Sequence, residues 1–192
     1  MKGKKILIWV TVIFMLSGVC FTSSAQETPE TNLVINGSFE KGMSNWSTNP
    51  SAPQKLYSVD DSISTDSECS LKLDGTTTDT PFFMAAGGYE SVLSGKLKPL
   101  TGYIVKADIR RTTAKGCIAV ALLEKPKEKT CDEWTYHWCG KNPEKGLNTW
   151  EHFELKFKTN PKVDDVSIQL YNIGSGGIAW FDNIQLTEVS GN

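Results

Sequence analysis

The sequence predicts an all-β fold, a jelly-roll β-sandwich of two antiparallel sheets. Short apolar runs alternate with polar residues at a period of two, and clusters of Gly, Pro, Asn and Asp separate them. No run beyond residue 26 sustains the apolar spacing of a helix, so a sandwich is the architecture that can bury the strands.

The elements follow in order. LYSVD (56–60), CSLKLD (69–74), PFFMAAG (81–87) and YESVLSG (89–95) are the early candidate strands. In YIVKADIRR (103–111), Tyr103, Val105, Ala107 and Ile109 share one face, and Lys106, Asp108 and Arg110 share the other. CIAVALLE (117–124) is apolar on both faces and fits an interior strand. WEHFELKFKT (150–159) sets Phe153, Leu155 and Phe157 against His152, Glu154 and Lys156. VSIQLYN (166–172) sets Val166, Ile168 and Leu170 against Ser167, Gln169 and Tyr171, and IAWFDNIQL (178–186) closes the fold.

The amino terminus sets the compartment. Lys2, Lys4 and Lys5 precede an apolar run from Ile6 to Val19 and a small-residue stretch at Ser23, Ser24 and Ala25. This is the layout of a secretory signal peptide over residues 1–25, cleaved after Ala25. The apolar run is shorter than the ~20 residues a membrane span needs. Lipidation of Cys20 is a lesser alternative, because Val19 fits poorly in the place before a lipidated cysteine. Residues 26–31 form a polar lead-in, and residues 32–192 have the size of one monomeric domain. A net charge of -2 gives no footing for nucleic acid or an anionic membrane.

Three segments carry a family resemblance. NLVINGSFEKGMSNWS (32–47), DSECSLKLDG (66–75) and the closing NTWEHFELKFKT, VSIQLYN and GGIAWFDNIQLTEV stand in the order found in carbohydrate-binding modules of families four, nine and twenty-two. The chain resembles these galactose-binding-like sandwiches over nearly all of its length after residue 31. The resemblance implies a non-catalytic binder of poly- or oligosaccharide. It also implies a structural Ca²⁺ held by the side chains of Glu40 and Asp182, the carbonyl of Ser38 and a carbonyl in the 66–68 loop. Two carboxylates with carbonyls make the oxygen shell that Ca²⁺ prefers; the alternative is that Glu40 and Asp182 cap turns or form ion pairs. Trp46 and Trp150 are expected to pack structurally.

Catalytic signatures are missing. There is no Gly-x-Ser-x-Gly elbow, no His-Glu-x-x-His and no phosphate-binding loop. His152 stands among glutamates on a strand face, and Asp132-Glu133 and Asp164-Asp165 are adjacent pairs, which a strand points opposite ways. A small jelly-roll glycosidase or lyase, built from distant carboxylates, remains an alternative, as does a cell-surface or matrix sandwich with a protein partner.

The stretch CDEWTYHWCG (131–140) lies in an insert bounded by Pro126 and Pro143. Alternation places Trp134, Tyr136 and Trp138 on one face, either a stacking surface for sugar rings or a satellite core folded over the sandwich. Arg110, Gln169 and Tyr171, pointing away from the core, are the expected polar partners of a sugar. Removal of the leader leaves Cys69, Cys117, Cys131 and Cys139, for which three pairings are possible. The expected pairing is Cys131 with Cys139 and Cys69 with Cys117. A zinc site using Cys131, His137, Cys139 and Asp132 lacks the usual ligand spacings and does not suit an exported chain.

Overall fold

The computed structural model describes residues 31–49, 52–65, 67–77, 82–86, 93, 95–126, 134–143 and 146–189, with the backbone alone at 82–86. The expected signal peptide, Cys20, Cys131 and most of the YESVLSG segment lie outside these residues.

The strands are β1 (Trp46–Thr48), β2 (Tyr57–Asp60), β3 (Ser70–Asp74), β4 (Phe82–Ala86), β5 (Gly102–Arg111), β6 (Cys117–Pro126), β7 (Thr135–Cys139), β8 (Glu151–Lys158), β9 (Val163–Ile173) and β10 (Ile178–Glu188). A single 3₁₀ turn at Gln54–Leu56 is the one helical segment among the described residues. No helix there is long and apolar enough to cross a membrane. The front sheet runs β1-β4-β9-β6-β7 and the back sheet β2-β3-β10-β5-β8, and every strand pairing among the described residues is antiparallel. The all-β sandwich is therefore present.

The period-two faces fall where the sequence puts them. Tyr103, Val105, Ala107 and Ile109 of β5 meet Val166, Ile168 and Leu170 of β9 in the core between the sheets. β6 lies between β9 and β7 and is buried on both faces, with Ile118, Val120 and Leu122 turned to the core. Ala119, Ala121 and Leu123 are equally buried on the outer face, under side chains from the neighbouring strands.

The first segment is a knot of turns rather than a strand. Leu33 N–H donates to the Leu186 carbonyl at 2.8 Å and Ile184 N–H to the Gly37 carbonyl at 3.0 Å, which ties the segment to β10. Asn36, at φ +57°, takes the left-handed conformation, and its side chain donates to the carbonyls of Gly42 and Ser44. A Cβ on Gly37 would lie 2.0 Å from the Ile184 carbonyl oxygen, so the glycine serves close approach. Phe39 is fully buried and packs 5.1 Å from Trp46, whose indole donates to the Asn36 carbonyl. Trp46 is thus a core residue.

Candidate functional site

The outer face of the front sheet gathers the aromatic residues. On β7, Tyr136 and Trp138 stack with ring centroids 5.6 Å apart and planes within 10°. Trp138 also meets Tyr171 of β9 at 5.3 Å. The register explains the meeting: Trp138 is opposite Ala121, and Ala121 is opposite Gln169, so a small residue leaves room for the indole to reach over the central strand. Tyr171 hydroxyl donates to Gln169 Oε1. Burial pushes the Tyr171 phenol well above its usual range, so it is a neutral hydrogen-bonding group at neutral pH. At the far end of the row, Lys125 Nζ stands 5.5 Å from the Trp134 ring and 3.5 Å from Asp165 Oδ2. Tyr136 is the open member of the row, 42% exposed.

Five of the six predicted ligand residues therefore belong to one face: Trp134, Tyr136, Trp138, Gln169 and Tyr171. Arg110 does not join them. It lies in β5 on the outer face of the back sheet, its guanidinium 5.4 Å over Trp180, whose indole donates to Asp60 at 2.8 Å. Alternation shows that Arg110 points away from the core but not from which of the two sheets.

The cysteines also differ from expectation. Cys69 and Cys117 carry free thiols. Cys69 precedes β3 in the back sheet, where its electrostatic neighbours include Glu40 and Asp182. Cys117 opens β6 in the front sheet, opposite Ile173, and shares the outer-face parity of Ala119 and Ala121. A thiol turned away from the opposing sheet cannot make the short Cα–Cα span a disulfide needs. Cys139 is likewise a free thiol, buried in the core, where burial raises its pKa to about 12. Its expected partner Cys131 is outside the described residues. His137 shares the inward parity of Cys139; its Nε2 lies 2.7 Å from Glu124 Oε1, and its ring lies 4.7 Å from Phe157. Among the described residues no cluster of His, Cys, Asp or Glu could hold a metal through three such ligands.

The second predicted constellation is at the bulge of β10. The register slips between Asp182 and Gln185, with Asn183 at φ +50°. Asp182, fully buried, accepts at Oδ2 from Thr65 N–H (3.0 Å), Thr65 Oγ1 (2.9 Å) and Ser67 Oγ (2.7 Å). Glu40 Oε1 accepts from the N–H groups of Glu68 and Cys69 at 2.9 and 3.0 Å. Both carboxylates thus reach the same 64–69 loop. The charged neighbours of Cys69 there are Glu40, Asp61, Glu68 and Asp182, all acidic. Three donors already engage one Asp182 oxygen, and two backbone N–H groups engage Glu40 Oε1, so hydrogen bonds hold both carboxylates to this loop. Ser38 lines a surface hollow of about 250 Å³ with Asn36, Gly37 and Asn183.

Three side-chain networks had no sequence signal, because most of their partners are 29 or more positions apart in the chain. Asn183 Nδ2 links Thr65 to Asp108, which also holds His152 at 2.8 Å. Glu124, buried, accepts from the backbone and side chain of Asn160 as well as pairing with His137. Arg111, 1% exposed, donates to the carbonyls of Ile118, Lys141 and Gly140.

The model of a family described as "Carbohydrate binding domain" matches residues 31–173. The chain belongs to that family. Its carbohydrate-binding character and sandwich agree with the resemblance carried by the terminal motifs. Among solved structures, the module is similar to a family 16 carbohydrate-binding module at 22% identity and TM-score 0.59, covering 82% of this chain and all (100%) of the other. A CBM22-1 xylan-binding domain from Paenibacillus barcinonensis Xyn10C matches at 10% identity and TM-score 0.59, covering 85% and 97%. The enzymatically active domain of tailspike protein 4 of bacteriophage CBA120 matches at 16% identity and TM-score 0.58, covering 82% of this chain and 21% of that one. No curated protein matches the sequence.

Proposed function

We propose that the module is exported and binds polysaccharide without catalysis on the outer face of the front sheet. Tyr136 and Trp138 stack against sugar rings, and Tyr171 and Gln169 supply polar contacts. The observation that supports this most is the stacked, partly open Tyr136–Trp138 pair, which stands opposite Leu123 and Ala121 of β6, with Tyr171 and Gln169 on the strand beyond. Ring faces receive the apolar C–H face of a sugar, while neutral phenol and amide groups meet hydroxyls without the desolvation cost of a charge. Xylan is a first ligand to try, since structural neighbours include domains described as xylan-binding. Export follows from the expected signal peptide. A structural Ca²⁺ at Glu40 and Asp182, with the Ser38 carbonyl, belongs to the same proposal and supplies charge neutralisation to the 64–69 loop.

The test is calorimetric titration with xylan, β-glucan and mannan oligosaccharides. Trp138→Ala is expected to weaken binding by roughly tenfold, consistent with the loss of a stacking partner and its buried area. Arg110→Ala, on the back sheet, should leave affinity unchanged. Equal loss in both variants, or none in Trp138→Ala, would place the site elsewhere.

A further inference from the structure

The two ends of the aromatic row each carry an ammonium group, and the two are not equivalent. Lys125, over Trp134, has Asp165 at 3.5 Å, and both side chains are largely buried. Lys141 lies over Trp138, with Nζ 5.6 Å from the ring centroid. It is exposed and makes no ion pair with any described residue. An exposed lysine resting on a half-buried ring is held weakly and gives way readily to a better partner. Its backbone is fixed all the same, because Arg111 binds the Lys141 carbonyl at 3.3 Å and the Gly140 carbonyl at 2.7 Å. The result is an exposed cation without a carboxylate partner among the described residues, on a backbone anchored by Arg111 at the edge of a stacking surface.

We propose that this face selects glycans bearing carboxylates, that is, polysaccharides with uronic acid residues in the chain or as branches. Tyr136 and Trp138 take the sugar ring, and Lys141 swings from Trp138 to the carboxylate. Lys125, already neutralised by Asp165, contributes no selection. The inference rests on the assignment of the outer face as the glycan site.

The experiment compares glucuronoxylan and polygalacturonate, each with its carboxyl-reduced counterpart, against the wild-type module and Lys141→Met. The wild type is expected to bind one acidic polymer about two- to fivefold tighter than its reduced form at low salt, roughly what one partly exposed ion pair supplies. That advantage should shrink at 0.5 M salt, a concentration at which surface charges are strongly screened. In Lys141→Met the two forms should bind alike, at the affinity the wild type shows for the reduced polymer. Wild-type binding that is indifferent to carboxyl reduction, or a Lys141→Met variant that loses both forms equally, overturns carboxylate selection while leaving the glycan face standing. Failure of the folded wild type to bind any of the four polymers, together with failure on neutral glycans, overturns the face itself.

Discussion

Single residues in this module act through what their side chains displace or hold. Gly37 lies so close to β10 that a methyl group at its Cα would overlap the Ile184 carbonyl, and the Gly37 carbonyl is itself the acceptor for Ile184 N–H. Gly37→Ala should therefore lose about 2 kcal/mol or more, read as a lower urea midpoint at unchanged slope, because the backbone itself must move. Glu124 offers a pH-dependent counterpart. Burial by itself would raise its pKa, but the bonds from His137 and Asn160 outweigh it and hold the carboxyl below its ordinary value. In the unfolded chain the group takes up its proton at a higher pH than in the fold. Its contribution to stability is thus complete above about pH 4.5 and lost as pH falls through the lower folded value. Thermal melts from pH 6 to pH 3 should decline less steeply in Glu124→Gln than in the wild type, and parallel curves would deny Glu124 that role.

At the scale of the element, β7 joins the inside of the sandwich to its aromatic outer face. His137 and Cys139 face inward while Tyr136 and Trp138 face out, so one short strand ties the platform to Phe157, Val120 and Glu124. Arg111 fastens the chain just beyond it. A lysine there has one compact ammonium in place of a planar fork and cannot reach three carbonyls together. Arg111→Lys is expected to cost about 2 kcal/mol by chemical denaturation and, through displacement of Lys141, to weaken binding of carboxylated glycans while sparing their reduced forms. A variant that is less stable yet binds normally would confine Arg111 to the fold. This element also shows where the sequence was legible. The alternation of 134–138 placed three aromatics on one face, and the same rule located the inward sides of β5, β8 and β9. It could not assign a strand to a sheet, which is why Arg110 was grouped with residues across the sandwich and Cys69 with Cys117. Period two resolves in from out; sheet membership depends on pairings between residues such as Ala179 and Arg111, 68 positions apart in the chain. Contacts such as Asn183 with Asp108, or Glu124 with Asn160, were hidden for the same reason.

For the whole molecule, the amino-terminal knot is tied to the last strand directly, at Leu33–Leu186 and Gly37–Ile184, and a second time through Thr65 and residues 67–69, to which Asp182 and Glu40 reach. Asp182 is buried with hydroxyl and amide donors for partners. A Ca²⁺ bound by Glu40 and Asp182 would join the amino-terminal knot to the last strand. A ligand that binds only the folded state stabilises it by about 2.7 kcal/mol at one hundred times its dissociation constant. For a domain of this size that corresponds to a rise in Tm on the order of 5–10 °C. Chelation of the purified module should therefore lower its Tm by about that amount, with recovery on added Ca²⁺ but not on added Mg²⁺, which demands a tighter octahedral shell. Asp182→Asn should melt at a lower temperature than the wild type and show little further response to chelator. Because the aromatic face is on the other sheet, glycan affinity measured well below the melting transition should be the same with and without the ion. An unchanged Tm after chelation would mean that the hydrogen bonds from Thr65 and Ser67 suffice to hold this end of the sandwich.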